Sequence, residues 1–229
     1  MNSLFGILST IFSFKFAKYL NKYPILKEIS PILIAGIILI FILKIFNIDY
    51  CVYKQGASYI TFLLIPATIA LGYPLYKNSK MLVKNKRIIY VAFVLATIIA
   101  ILSTYIIAYK GHAHTQIIVS MLPKSITAPM AIETSKQLGG IPELTACVVV
   151  LTGVFGAIFG HKILKLVKVK NNIAIGIAIG SASHVVGTSK CIEKGNQKQI
   201  AMSTLALVIV GIFTVVLAPL IWNILKYVN

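Results

Sequence analysis

Two prolines bracket a lysine, a serine and a threonine in Leu122-Pro123-Lys124-Ser125-Ile126-Thr127-Ala128-Pro129. Each proline removes a backbone donor and frees a carbonyl one turn upstream, so one regular helix cannot hold both. Broken backbone at membrane depth is tolerated only where it lines a cavity or is buried in protein. A half-helix restarting after a break presents N–H groups without intrahelical partners, and these attract anions. Lys124 adds a full positive charge, and Ser125 and Thr127 add hydroxyls. The chemistry these residues support is binding of a carboxylate or another small anion. The plainer alternative is that Lys124 snorkels to the interface and the hydroxyls bond back onto their own helix. Glu133 lies nine residues beyond Lys124. It is either a buried partner or proton carrier at this site, or an exposed carboxylate pairing with Lys136 or Gln137.

A second polar constellation lies at Gly180-Ser181-Ala182-Ser183-His184-Val185-Val186-Gly187-Thr188. The glycines permit a backbone break and close approach. Ser181, Ser183, His184 and Thr188 concentrate hydrogen-bonding groups, and His184 is able to carry a proton near neutral pH. Against this stands a histidine that merely packs between helices. In a third run, Pro66 breaks the chain and Thr68 faces the same cavity, or the two form a simple proline kink. Neither metal nor cofactor chemistry is expected. His112, His114, His161 and His184 are scattered with no acidic cluster. Ser183 and His184 are adjacent, so they rarely face one another, and no Asp is nearby to complete a nucleophilic triad. An enzyme is not expected.

The elements that must position these residues are apolar. Of 229 residues 58% are hydrophobic and 12% charged, with mean hydropathy +0.90, whereas a soluble domain carries about 25% charge. The runs are Ser3–Leu20, Pro31–Phe46, Gln55–Tyr76, Ile88–Tyr109, Thr115–Leu138, Leu144–Leu166, Asn172–Cys191 and Ile200–Leu225. They predict an all-α, polytopic membrane bundle, one integrated domain over 1–229, with about six to eight transmembrane segments. Two of these are Pro- or Gly-broken. The runs do not alternate as β-barrel strands do. The apolar N-terminus reads as a retained first helix, since no basic n-region precedes it. Lys and Arg number 22 against 5 Asp and Glu. The lysines lie mostly between apolar runs, where they face water and anionic headgroups, so the lipid bilayer and not nucleic acid is the expected partner. Cys51, Cys147 and Cys191 are too scattered for a disulfide framework or a metal site.

Loop charge constrains topology. Lys15 to Lys27 carries four lysines, Lys77 to Arg87 five basic residues and Lys162 to Lys170 four lysines. The positive-inside rule places all three in the cytoplasm. Three apolar segments separate the second loop from the third, which conflicts unless Thr115–Leu138 enters and leaves on one side. By the same logic Asn172–Cys191 is a second hairpin, entering from the cytoplasm. The expected plan has six full crossings, two broken segments of opposite entry, inverted halves and both termini outside. The alternative is eight full spans with one misplaced basic loop.

The motifs LPKSITAPMA (Leu122 to Ala131), LGGIPELTA (Leu138 to Ala146), TGVFGAIFG (Thr152 to Gly160), the Ser181–Thr188 run and PATIALGYPLY (Pro66 to Tyr76) resemble the LrgB/CidB family of bacterial membrane proteins. The resemblance covers essentially the whole chain. It departs at Val185, where a glycine is typical, and at Ala128, where a threonine is common. It implies two competing functions in the bacterial cytoplasmic membrane. One is a holin-like or antiholin-like regulator of murein hydrolase activity, autolysis and programmed cell death, acting by oligomerisation. The other is a carrier of pyruvate, lactate or glycolate-like monocarboxylates, as the plastid glycolate/glycerate relative suggests. In both a small LrgA/CidA-like membrane protein is the implied partner, and a homo-oligomer is compatible. The residues favour the carrier, because a holin needs only lateral assembly. On that reading Pro123, Lys124, Ser125, Thr127, Pro129, Thr68, Ser181, Ser183, His184, Gly187 and Thr188 form the substrate site, and His184 or Glu133 carries a coupled proton.

Overall fold

The computed structural model describes residues 2–23, 26, 31–63, 66, 69–70, 73, 76, 86–194 and 196–226. Every element among them is helical. The chain divides into two compact units, Met1–Ile69 and Ala70–Asn229. Thr68 lies outside the described residues.

The first unit holds α1 (Asn2–Leu20), α2 (Pro31–Ile45) and α3 (Tyr50–Phe62). Pro31 opens α2, where its fixed φ suits a first helical position. Asn47, at φ 49°, ends that helix in the left-handed conformation. Asp49 then caps α3, accepting from the Cys51 amide at 2.7 Å. A glycine lets α1 lie directly on α3: a Cβ at Gly6 would come within 2.7 Å of the Ala57 nitrogen and the Gly56 Cα.

The second unit holds α4 (Lys86–Lys110), α5 (Thr115–Met121), α6 (Ala128–Gln137), α7 (Pro142–Leu166), α8 (Asn172–Glu193) and α9 (Gln197–Leu225). Among the described residues three stretches are long and apolar enough to cross a bilayer: Ile89–Lys110, Pro142–Leu166 and Gln197–Leu225. α4 and α9 run in the same direction. Ile89 and Phe93 share one core cluster with Met202 and Leu205, while Ile101 and Tyr105 share another with Ala218 and Trp222. Trp222 is buried against Tyr105, with ring centroids 6.5 Å apart. α7 is antiparallel to both.

The remaining elements are two hairpins. Val119 and Leu122, at the end of α5, pack at the level of Tyr105 and Ala108, and so does Leu138, just past α6. Ile126, between the two helices, packs instead in the cluster of Ile89 and Phe93. The chain therefore descends along α5, turns at Leu122–Thr127 and climbs back along α6. The two prolines account for the turn: Pro123 lies in it, and Pro129 sits in the first turn of α6. The Ile141 amide, beyond α6, donates to Ser120 Oγ of α5 at 2.7 Å, closing the hairpin's base.

α8 reverses without a proline. Gly180 and Cys191 are eleven residues apart, about 16 Å along a straight helix. Both nevertheless lie beside Ser203 of α9: a Cβ on Gly180 would strike the Ser203 backbone, and the Cys191 thiol is next to the Ser203 side chain. A Cβ on Gly187 would lie 2.9 Å from Ile179 Cγ2. The reversal is at His184, whose φ of 41° and ψ of −134° are not helical.

The two hairpins enter from opposite ends. The end bearing the base of α8 carries Lys86, Arg87, Lys162, Lys165, Lys168, Lys170, Lys190, Lys194 and Lys198, whereas the end bearing α5 and α6 has Lys110, Lys136 and Lys226. By the positive-inside rule the first end is the one expected in the cytoplasm.

Candidate functional site

The hairpin tips come together on either side of Lys124. A cavity of about 670 Å³ lies between α4 and the first half of α8, with Lys124 and Ser125 at its inner end. Its walls combine isoleucines with small residues four apart: Ala92, Ala96 and Ala100 on α4, and Ala174, Ala178 and Ala182 on α8. That spacing puts each set on one helix face, and the missing side-chain volume is the cavity. Asn171 and Ile89 line its end nearest the basic loops. A smaller cavity of about 290 Å³ lies between α8 and α7, lined by Thr152, Phe155, Gly156 and Ser183 and again by Lys124. Lys124 thus reaches both, over a floor of Ala178 and Ala182 that the two cavities share.

Lys124 is the only charged side chain lining either cavity among the described residues. Its Nζ approaches one polar neighbour, Ser125 Oγ, at 3.4 Å. Neither ion pair among the described residues includes it. Ser181 lines the larger cavity, is 6% exposed, and its Oγ has no hydrogen-bond partner. Lys124 and the unpartnered Ser181 hydroxyl thus line the same cavity, and buried groups of this kind ordinarily have polar partners.

The other candidates are placed differently. Thr127 caps α6 by position but makes no side-chain bond, and its buried Oγ1 is also unpartnered, as is that of Thr188. Ser183 is pressed against Gly156, where any Cβ would overlap it. His184 is buried and turned toward α7: Nε2 lies 3.0 Å from the Val149 carbonyl and so donates to it, with Gly153 leaving room for the ring. The histidine anchors the reversal and lines neither cavity. Gly187 packs on Ile179 and Ser183 as the returning arm of the hairpin passes them. Glu133 is exposed on α6, 3.9 Å from Lys136, away from the site because helical register turns it outward. Thr152, Asn171 and the two alanine faces were missed by the sequence reading; the four-residue spacing of alanines in otherwise Ile-rich segments was the available signal.

The histidine's role gives a direct test. His184→Ala removes the donor to Val149 and leaves a left-handed residue without compensation. It is expected to destabilise the unit by about 1–3 kcal/mol, read as a lowered unfolding midpoint in detergent. An unchanged midpoint would contradict the anchoring role.

A protein with opposed hairpins meeting at a lone cation is matched by known relatives. An uncharacterized protein from Haemophilus influenzae is 36% identical over 218 residues, covering 95% of this chain and 94% of the relative. Holin-like protein CidB from Staphylococcus aureus is 33% identical over 222 residues, 96% of each. The uncharacterized protein YxaC of Bacillus subtilis is 34% identical over 204 residues, 89% of this chain and 88% of its own. No solved structure matches the chain. With its span-length helices and bacterial relatives, this is a multi-pass bacterial membrane protein. The LrgB-like family model matches residues 10–224, nearly the full length over which the hairpins and their cavities are built, and the chain belongs to that family.

Proposed function

We propose that the chain is a secondary transporter or facilitator for small monocarboxylates such as pyruvate, lactate or glycolate, working with an LrgA/CidA-like membrane protein. The observation that carries this is Lys124, a single unpaired cation at the meeting point of two opposed hairpins and in contact with two cavities. One positive charge suits a monoanion. The larger cavity lies in the size range of small-molecule sites, and its alanine walls suit a short alkyl tail. Ser125 and Ser181 supply hydroxyls to orient the carboxylate. Broken segments meeting from opposite faces are the arrangement by which secondary transporters expose a central site alternately.

Ligand stabilisation tests this. Pyruvate at ten times its dissociation constant raises the unfolding free energy by about 1.4 kcal/mol. The unfolding midpoint of detergent-solubilised protein is expected to rise with pyruvate, and the rise is expected to vanish in Lys124→Ala. No rise with pyruvate, lactate or glycolate in the native chain would defeat the reading.

The second reading is a holin-like or antiholin-like regulator, favoured by the name of the Staphylococcus aureus relatives. It requires lateral assembly and predicts dye release from vesicles that is indifferent to Lys124. Gly153 and Gly156 are not free to serve such assembly, because both are occupied by α8; substitutions there would report on folding.

A further inference from the structure

α4 and α7 end in the same way. α4 stops at Lys110 and α7 at Leu166. Two residues on, His112 (φ 53°) and Lys168 (φ 58°) adopt the same left-handed backbone. The same three bonds close each end: Gly111 to Ile107, His112 to Tyr109 and Ala113 to Ala108 in one, Val167 to Ile163, Lys168 to Lys165 and Val169 to Leu164 in the other. Every matched pair is 56 residues apart. This cap also ends α2, at Asn47, so the cap alone is not distinctive. The spacing continues, however, into the hairpin next along the chain from each cap. The hairpins start at Thr115 and Asn172 and end at Gln137 and Glu193. Their breaks fall at Thr127, just before α6, and at His184. All of these pairs are 56 or 57 residues apart, and the two spans run in opposite directions. The same offset pairs Lys124 with Ser181, the two polar tip residues that share the larger cavity.

The offset also relates the open cavity to a closed counterpart. Ile89 and Ile177 line the larger cavity. Their equivalents are Thr145 and Ser120. These two are tied together: Thr145 Oγ1 donates to the Ser120 carbonyl at 2.9 Å, with Ser135 Oγ 2.7 Å away. All three residues are fully buried. We propose that residues 86–137 and 142–193 form an inverted repeat, that the cavity lined by Ile89 and Ile177 is the cytoplasmic access path, and that the Ser120–Ser135–Thr145 cluster is the closed outer gate of its equivalent on the opposite side. Parting this cluster would separate α5 from α7 and expose Lys124 to the opposite face. The inference rests on the transporter reading and deepens it by naming how the site changes sides.

The test needs no substrate. Cys51, Cys147 and Cys191 are replaced, and Ala182→Cys, on the floor shared by both cavities, is labelled with a membrane-impermeant maleimide in inside-out vesicles and in intact cells. Labelling is expected from the cytoplasmic face. Thr145→Val, which keeps the side-chain volume and removes the hydroxyl, is expected to raise the outer-face rate at least tenfold and to lower the cytoplasmic rate. Ser135→Ala is the second variant, expected to shift accessibility the same way. Outer-face labelling unchanged in both variants would make the cluster a static staple and overturn the proposal. Rates rising together at both faces would show general loosening and overturn it equally. Pyruvate stabilisation is measured separately, so a failed gate leaves the carboxylate reading standing, and the reverse also holds.

Discussion

Lys124→Ala is expected to slow carboxylate counterflow between about tenfold and a hundredfold while leaving the unfolding midpoint unchanged or raised. A hydrogen bond to a charged group contributes about 1.5–3 kcal/mol, and each 1.4 kcal/mol is a factor of about ten. Lys124 is the one cation on the cavity walls, so no neighbouring charge replaces it among the described residues. Its stability effect should run the other way. The ammonium is half-buried with only Ser125 Oγ at 3.4 Å, and an unpaired charge removed from water is a net cost to folding. Loss of transport without loss of stability distinguishes a binding residue from a structural one. Lys136→Ala is the control, since Lys136 is exposed and pairs with Glu133 at 3.9 Å; it should change neither. Native-like counterflow in Lys124→Ala would remove the basis for the proposed site.

Gly180→Ala is expected to be the most destabilising single methyl in the second unit. The added Cβ would overlap the Ser203 carbonyl and approach Ser203 Cα at 2.7 Å and Ala206 Cβ at 2.8 Å. Two of these obstacles belong to the backbone of α9 and cannot rotate away. Overpacking of this kind costs about 1–3 kcal/mol, occasionally more, and this site belongs at the upper end. The first half of α8 would be levered off α9, moving Ser181 and the cavity floor with it. Gly156→Ala meets a side chain instead, that of Ser183, so Gly156→Ala combined with Ser183→Gly should recover much of the loss. Gly36→Ala, with no atom within 4 Å of the new methyl, should be neutral. The unfolding midpoints of the four variants check the order; equal midpoints for Gly180→Ala and Gly36→Ala would contradict the packing described.

The first hairpin was legible because its cause is local. Pro123 and Pro129 forbid a continuous helix, and loop charge gave independent reason for the segment to return to its own side. The second was harder to read, since α8 contains no proline. Gly180, Ser183 and Gly187 permit the reversal, but what enforces it is tertiary: the His184 bond to Val149 and the passage of Gly180 and Cys191 over Ser203. For the same reason the sequence named His184 but not its direction. A residue at a left-handed turn points where the neighbouring helix accepts it, and that helix supplies Gly153 and a carbonyl 35 residues away. Glu133 was undecided between burial and exposure because helical register beyond an irregular turn depends on where the helix restarts. The Ser120–Ser135–Thr145 cluster was invisible, since each hydroxyl alone is an ordinary helix-face residue. The 56-residue offset was also hidden, because what recurs is backbone geometry, not side-chain identity.

We propose that this chain moves a small carboxylate through a defined site rather than opening the membrane. Counterflow in proteoliposomes loaded with both unlabelled pyruvate and calcein tests it most directly. Labelled pyruvate is expected to accumulate inside well above protein-free vesicles while calcein is retained. Accumulation no greater than in protein-free vesicles, or calcein release in step with pyruvate entry, would contradict the account.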